Sequence, residues 1–133
     1  MKASIFLAAG ALALSGCGLG GPAYRAPPAG VAATVDMTIG LKYAPPAVTI
    51  YAGQTVEWRN QSPFHHTVTN DPADAERARD AALPAGAQPF NSGYIDPGQV
   101  FRHTFTVPGT YRYFCDPHEG QGMVGTIYVR PRA

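Results

Sequence analysis

Charge is scarce in this chain of 133 residues: only 14% are Asp, Glu, Lys or Arg, and the formal net charge is +1. There is no basic run or stripe, which argues against nucleic acid as a partner. Cysteine is scarcer still, with two residues, Cys17 and Cys115, and a disulfide between them, though possible, would oddly tie the domain to a flexible tail. No apolar run has the length of a membrane-spanning helix. The longest, Ala3 to Leu14, is interrupted by Ser4 and Gly10 and is too short to cross comfortably. What the chain has in quantity is turn formers, 15 Gly and 13 Pro, beside a hydrophobic fraction of 45%. A chain of this length can bury a real core, and that composition favours many short strands over a helical bundle.

The N-terminus reads as a targeting segment. Lys2 supplies a minimal positive start, and the short apolar stretch after it fits a secretory signal over residues 1–16. Its end, Leu14-Ser15-Gly16-Cys17, resembles the bacterial lipoprotein signal, in which a cysteine is lipidated and becomes the mature N-terminus. The alternative is an ordinary signal peptide with an incidental cysteine. On the lipoprotein reading, cleavage removes Lys2, and the domain is lipid-anchored at Cys17 on the periplasmic side of a bacterial membrane. Residues 17–33, rich in Gly, Ala and Pro, form a flexible tether. Cys115 is then left alone in an oxidising compartment, where metal ligation is a good explanation for an unpaired thiol.

From Thr34 to residue 133 the pattern is that of a single domain. Val35, Met37, Ile39 and Leu41 alternate as in a half-buried strand, and Val48 with Ile50 continues the pattern after Pro45-Pro46. Val56 and Trp58 open a further strand after the turn Ala52-Gly53-Gln54, and His66 to Thr69 reads as another. Val100 to Val107, Thr110 to Cys115 and Val124 to Val129 complete the set. The aromatic residues of the first of these are expected to face the core, and His103 to be an exposed strand residue. Asp71 to Leu83 is the one helical candidate: Asp71 as cap, Pro72 in the first turn, Asp74 and Glu76 at the positive end, Pro84 as the stop. The expectation is an all-β Greek-key sandwich, antiparallel, with one short surface helix.

The chemistry is concentrated in Cys115-Asp116-Pro117-His118-Glu119-Gly120-Gln121-Gly122-Met123. Thiolate, imidazole and thioether stand within nine residues of each other, in a loop between two predicted strands. Soft sulfur donors beside imidazole suit copper; two His and one Cys in a plane with a weak axial Met make a type 1, or blue, copper site. Zinc takes four strong ligands, and a thioether is a poor one for it. The second imidazole has to come from elsewhere in the chain, and His65 and His66 are the candidates.

These residues resemble the ligand loop of the cupredoxins, in particular the plastocyanin and pseudoazurin branch. The likeness extends over residues 34–130: the Cys-x2-His-x4-Met spacing, the Val124-Gly125-Thr126-Ile127 that follows, Pro46-x-Val48-x-Ile50, Gly53-x-x-Val56-x-Trp58-x-Asn60 and His66-Thr67-Val68. The resemblance implies one copper ion held by His66, Cys115, His118 and Met123, in a monomer that carries single electrons. It implies His66 and not His65 as the upstream ligand, with the Thr67 hydroxyl bonded to the ligand loop. It makes the His118 ring edge the electron port, within an apolar patch of Pro117, Gly120 and Phe64 where redox proteins dock transiently. The chain departs from plastocyanins in having His65 where they usually have Pro, Phe114 where they have Tyr, and no counterpart of the plant acidic patch. An exported copper carrier or chaperone is the alternative function, but such proteins are often Met-rich or His-rich, and there are three Met and four His here. A copper enzyme would need more histidines, and a binuclear centre a second nearby cysteine. The expectation is therefore a carrier and not an enzyme.

Overall fold

The computed structural model describes residues 26–133. The expected signal peptide, Cys17 and most of the tether lie outside the described residues. Seven strands follow: β1 (Ala33–Met37), β2 (Tyr43–Ala44), β3 (Ala47–Tyr51), β4 (Gln54–Asn60), β5 (Val100–Phe105), β6 (Gly109–Phe114) and β7 (Val124–Arg130). They form two sheets, one in the order β2-β1-β4-β5 and one in the order β3-β7-β6. Among the described residues no helix is long and apolar enough to cross a membrane.

The sandwich is mixed and not purely antiparallel as expected. β1 runs parallel to β4, with Val35 opposite Trp58, and β3 runs parallel to β7, with Ile50 opposite Val129. The cause is the route of the chain, which leaves β2 for the second sheet at β3 and returns to the first at β4. A strand that re-enters a sheet after such a crossing can lie in the same direction as its neighbour, which a two-residue hairpin does not allow.

The core lies between the sheets. Val35, Met37, Val56, Trp58, Phe105, Tyr113 and Ile127 are buried. Side chains of this kind each contribute roughly 1.5–3 kcal/mol when fully buried. Trp58 is at the centre, its ring 5.3 Å from Tyr113 edge-on and 6.3 Å from Phe105. Phe105 faces the core as expected, and Phe101 packs against it half-buried. His103 is not the exposed residue the sequence suggests: its ring lies 4.3 Å from Phe90 and 4.7 Å from Phe105.

Two local expectations fail. The alternation of β1 stops at Met37; Ile39 is 69% exposed and Leu41 has φ +55°, because the chain turns there into β2. The helix expected over Asp71 to Leu83 is reduced to one 3-10 turn, Ala78–Asp80. Asp71 does cap, its Oδ1 accepting the Ala73 N–H at 3.0 Å, but the helix does not propagate. The amides of Glu76 and Arg77 are taken instead by the carboxylate of Glu119, and Arg77 is extended. A tertiary acceptor has displaced the carbonyls that a helix would have offered those donors.

Candidate metal centre

Cys115 directly follows β6, and Met123 directly precedes β7. The Cys115 N–H donates to the Met123 carbonyl at 3.0 Å, so the two residues close the end of the β6–β7 ladder. Between them Asp116–Gln121 forms a 3-10 turn with Pro117 in its first positions. The His118 N–H donates to Cys115 O at 3.0 Å, and the Met123 N–H to His118 O at 3.2 Å. Gly122, at φ +78°, ends the turn in the left-handed region that a glycine enters without a Cβ penalty. The nine-residue spacing is thus a short 3-10 helix spanning two neighbouring strands.

The upstream imidazole comes from the segment that lies alongside β6, where Thr69 is bridged to Phe114. His66 makes a two-way backbone pair with Ile95, its N–H donating at 3.2 Å and its carbonyl accepting at 2.8 Å. The expected strand His66 to Thr69 is present only as isolated bridges, to Ile95, Asn91 and Phe114. That is enough to direct His66 inward, where it is fully buried, and its neighbour His65 outward against Tyr94, with ring centres 4.6 Å apart.

His66 Nδ1 lies 3.1 Å from His118 Nδ1 and 3.6 Å from Cys115 Sγ, and His118 Nδ1 lies 3.4 Å from the same sulfur. Among the described residues these three are the His, Cys, Asp or Glu side chains close enough together to share an ion. A point equidistant from donors at those separations is about 2 Å from each, which is metal–ligand distance for nitrogen and slightly short for sulfur. Met123 is buried, and its main chain is hydrogen-bonded to those of Cys115 and His118. The donor set and its spacing fit copper.

Several neighbours hold the donors in place. Ser62 Oγ stands 2.7 Å from His66 Nε2, and the hydroxyl in turn reaches Asn60 Oδ1 at 2.9 Å. Asn60 Nδ2 donates to the carbonyls of Phe64 and Ile95, so the whole group is tied to backbone. With Nε2–H donating to Ser62, Nδ1 is left with a free lone pair pointing into the triangle. The Thr67 N–H donates to Cys115 Sγ at 3.3 Å, and Thr67 Oγ1 accepts the Asp116 N–H at 2.8 Å, which is the expected bond to the ligand loop. Tyr43 OH donates to the Thr67 carbonyl at 2.7 Å. Ser62, Tyr43 and Glu119 carry no signal in the sequence, because their link to the site exists only once strands distant in the chain are folded together.

In the metal-free protein the donors are electrically neutral. Burial, then repulsion from His118 and His65, lowers His66 from 6.5 to about 4. Burial and then His65 lower His118 as well. Burial raises the Cys115 thiol above its ordinary value, against the hydrogen bonds from Thr67 and His118 that favour the thiolate.

Comparison with known proteins agrees with this geometry. The family described as copper binding proteins, plastocyanin/azurin family, matches residues 29–130. The plastocyanin of Scenedesmus fuscus is 38% identical over 90 residues, covering 68% of this chain and 88% of its own. The chloroplastic plastocyanin of Oryza sativa subsp. indica is 33% identical over 134 aligned positions, covering 97% of this chain and 80% of its own. Among solved structures, the Cu(I) form of an amicyanin variant superposes with a TM-score of 0.60 at 29% identity, covering 76% of this chain and 83% of that one. A purple cupredoxin from Nitrosopumilus maritimus superposes with a TM-score of 0.56 at 25% identity, covering 74% of this chain and 99% of that one. With most of its length matched, the fold shared and the donor triangle assembled, the chain belongs to the plastocyanin/azurin family of copper binding proteins.

Proposed function

We propose that this protein is an exported single-electron carrier whose one copper ion would be held by His66, Cys115, His118 and Met123. The observation that carries the reading is the triangle of His66 Nδ1, Cys115 Sγ and His118 Nδ1, with sides of 3.1 to 3.6 Å. The ion supplies the Cu(II)/Cu(I) couple. Everything else is the work of the chain. Cys115 and His118 are fixed by one helical turn, and His66 by its pairing with Ile95 and Ser62, so little has to move when charge changes. Burial of His66, Cys115 and Met123 keeps water away and favours a retained ion over the labile one a copper chaperone needs. Plastocyanin and amicyanin, which this chain resembles, support a carrier in place of an enzyme.

His118 is the half-buried member of the set and serves as the electron port. Pro117 and Gly120 beside it are exposed, and Phe64 is 47% exposed, which supports a small apolar docking face for redox proteins. Brief contacts of this kind bury little area. The protein acts as a monomer, lipid-anchored through Cys17 on the periplasmic side of a bacterial membrane. Cys17→Ser releases it from the membrane fraction or leaves an uncleaved precursor; native protein found wholly soluble and unlipidated removes the anchor.

The visible spectrum tests the centre. The copper-loaded oxidised protein is expected to show an intense thiolate charge-transfer band that bleaches with reductant. A colourless copper-loaded protein overturns the reading.

A further inference from the structure

We infer that Glu119 is a positioning residue of the metal centre, its buried carboxylate bolting the turn between His118 and Met123 to the segment 71–83. This rests on the copper reading above and adds to it a role for a residue and a segment that supply no ligand.

A fully buried carboxylate next to a metal-binding His needs partners, since an unpaired buried charge is costly. Glu119 finds them in two consecutive backbone amides. Oε2 accepts the Glu76 N–H at 2.7 Å and Oε1 accepts the Arg77 N–H at 3.0 Å. Charge-assisted bonds to both oxygens fix the carboxylate in orientation as well as in position. The main chain of the same residue closes the metal-binding turn, its carbonyl accepting the Gly122 N–H at 2.8 Å. Glu119 is therefore the point at which the turn carrying His118 and the segment 71–83 become one piece.

The segment is itself held at both ends by β6, the strand that delivers Cys115. At its start Thr69 and Phe114 exchange backbone hydrogen bonds at 2.9 and 3.1 Å. At its end Ala82 and Arg112 do the same at 3.0 and 3.1 Å, and the buried Asp80 lies 3.8 Å from the Arg112 guanidinium. The strap so formed runs from β6 across to the ligand turn and back. It restrains His118 relative to Cys115 by a path separate from the three residues that join them in sequence. Outer groups that orient a ligand typically account for 10–100-fold in metal affinity, and a strap of this design belongs with them.

The test has a metal-free and a metal-bound arm. Hydrogen exchange followed by NMR on the metal-free protein is expected to show the Glu76 and Arg77 amides protected, and that protection lost in Glu119→Ala. With copper, Glu119→Ala is expected to weaken affinity about tenfold or more and to change the relative intensities of the visible bands. Glu119→Gln keeps the volume and one acceptor oxygen, so it should protect one of the two amides and fall between. It also carries the test if the alanine variant does not fold. Side-chain removal in Glu76→Ala is expected to change nothing at the copper, because the donor is the backbone. Unprotected amides in the wild type overturn the strap. Affinity and spectrum unchanged in Glu119→Ala overturn its role at the metal, and a full alanine-like loss in Glu119→Gln with both amides still protected assigns the effect to charge instead. A wild type that binds copper without the charge-transfer band overturns the copper reading itself, a result that the variants cannot mimic.

Discussion

Ser62 Oγ and His66 Nε2 lie 2.7 Å apart, and this contact decides which nitrogen of the buried imidazole is left to bind a metal. Ser62 is in turn committed to Asn60 Oδ1, so its oxygen is oriented to accept from the ring. Ser62→Ala leaves the Nε2–H without a partner inside the protein. The expected results are a 10–100-fold loss of copper affinity and a stability loss of about 1–3 kcal/mol. A competition titration against a chelator measures the first, and denaturant unfolding of the metal-free protein the second.

His66 and His65 make a discriminating pair. One is buried in the triangle; the other is exposed against Tyr94. His66→Ala is expected to abolish the blue band and His65→Ala to leave it largely intact. Cys115→Ser is expected to remove the band outright, since a hydroxyl neither ionises readily nor donates as sulfur does. Absorption spectra of the three copper-loaded variants check this, and bleaching by His65→Ala alone exchanges the two assignments.

The parts of the centre that lie within one stretch of chain were readable from the residues. Cys115, His118 and Met123 are joined by a turn short enough for spacing to carry meaning, and Gly122 sits where the turn needs positive φ. The choice of His66 over His65 came from resemblance, because alternation alone says only that the two face opposite ways. The helix expected over Asp71 to Leu83 does not form for a physical reason: its cap is present, but Glu119, over forty residues on, takes the amides. The parallel pairing of β1 with β4 was likewise out of reach, because register and direction depend on which sheet each strand joins.

Gly125 shows a constraint of packing next to the site. A Cβ built there would overlap the ring of Tyr113, which is buried against Trp58 and Tyr43. Gly125→Ala is expected to cost about 1–3 kcal/mol through overpacking. Chemical denaturation of the metal-free protein reads this directly, and a loss well under 1 kcal/mol would mean that the ring moves aside.

The shifted groups give the metal-free protein a pH profile. His66 titrates near 4 when folded and near 6.5 when unfolded, so the unfolded chain binds more protons between those values. Stability therefore rises with pH across that window and falls away as pH drops toward 4. The raised thiol of Cys115 acts at the other end: the folded state retains a proton that the unfolded chain loses, and stability declines as pH climbs past 9.0. Copper binding needs neutral His and ionised Cys, so uptake at neutral pH should release about one proton, from Cys115. Calorimetry in buffers of different ionisation enthalpy counts that proton, and a count near zero would mean that the thiol is already ionised.

Met123 is buried, and its backbone is held on both sides, its carbonyl accepting from the Cys115 N–H and its N–H donating to the His118 carbonyl. As the proposed fourth ligand, its thioether should act on the copper electronically. A weak axial thioether stabilises Cu(II) more than Cu(I). Met123→Leu removes the donor while nearly keeping the volume, so packing should be little disturbed. The expected outcome is a higher reduction potential with the blue colour retained, because the plane of His66, Cys115 and His118 survives. Met123→Gln places a harder oxygen at the same point, and the potential is expected to fall. Voltammetry on the wild type and both variants measures the two shifts. Movement in opposite directions identifies Met123 as the axial donor, whereas an unmoved or lowered potential in Met123→Leu means that the thioether does not reach the metal and the fourth ligand must be sought elsewhere.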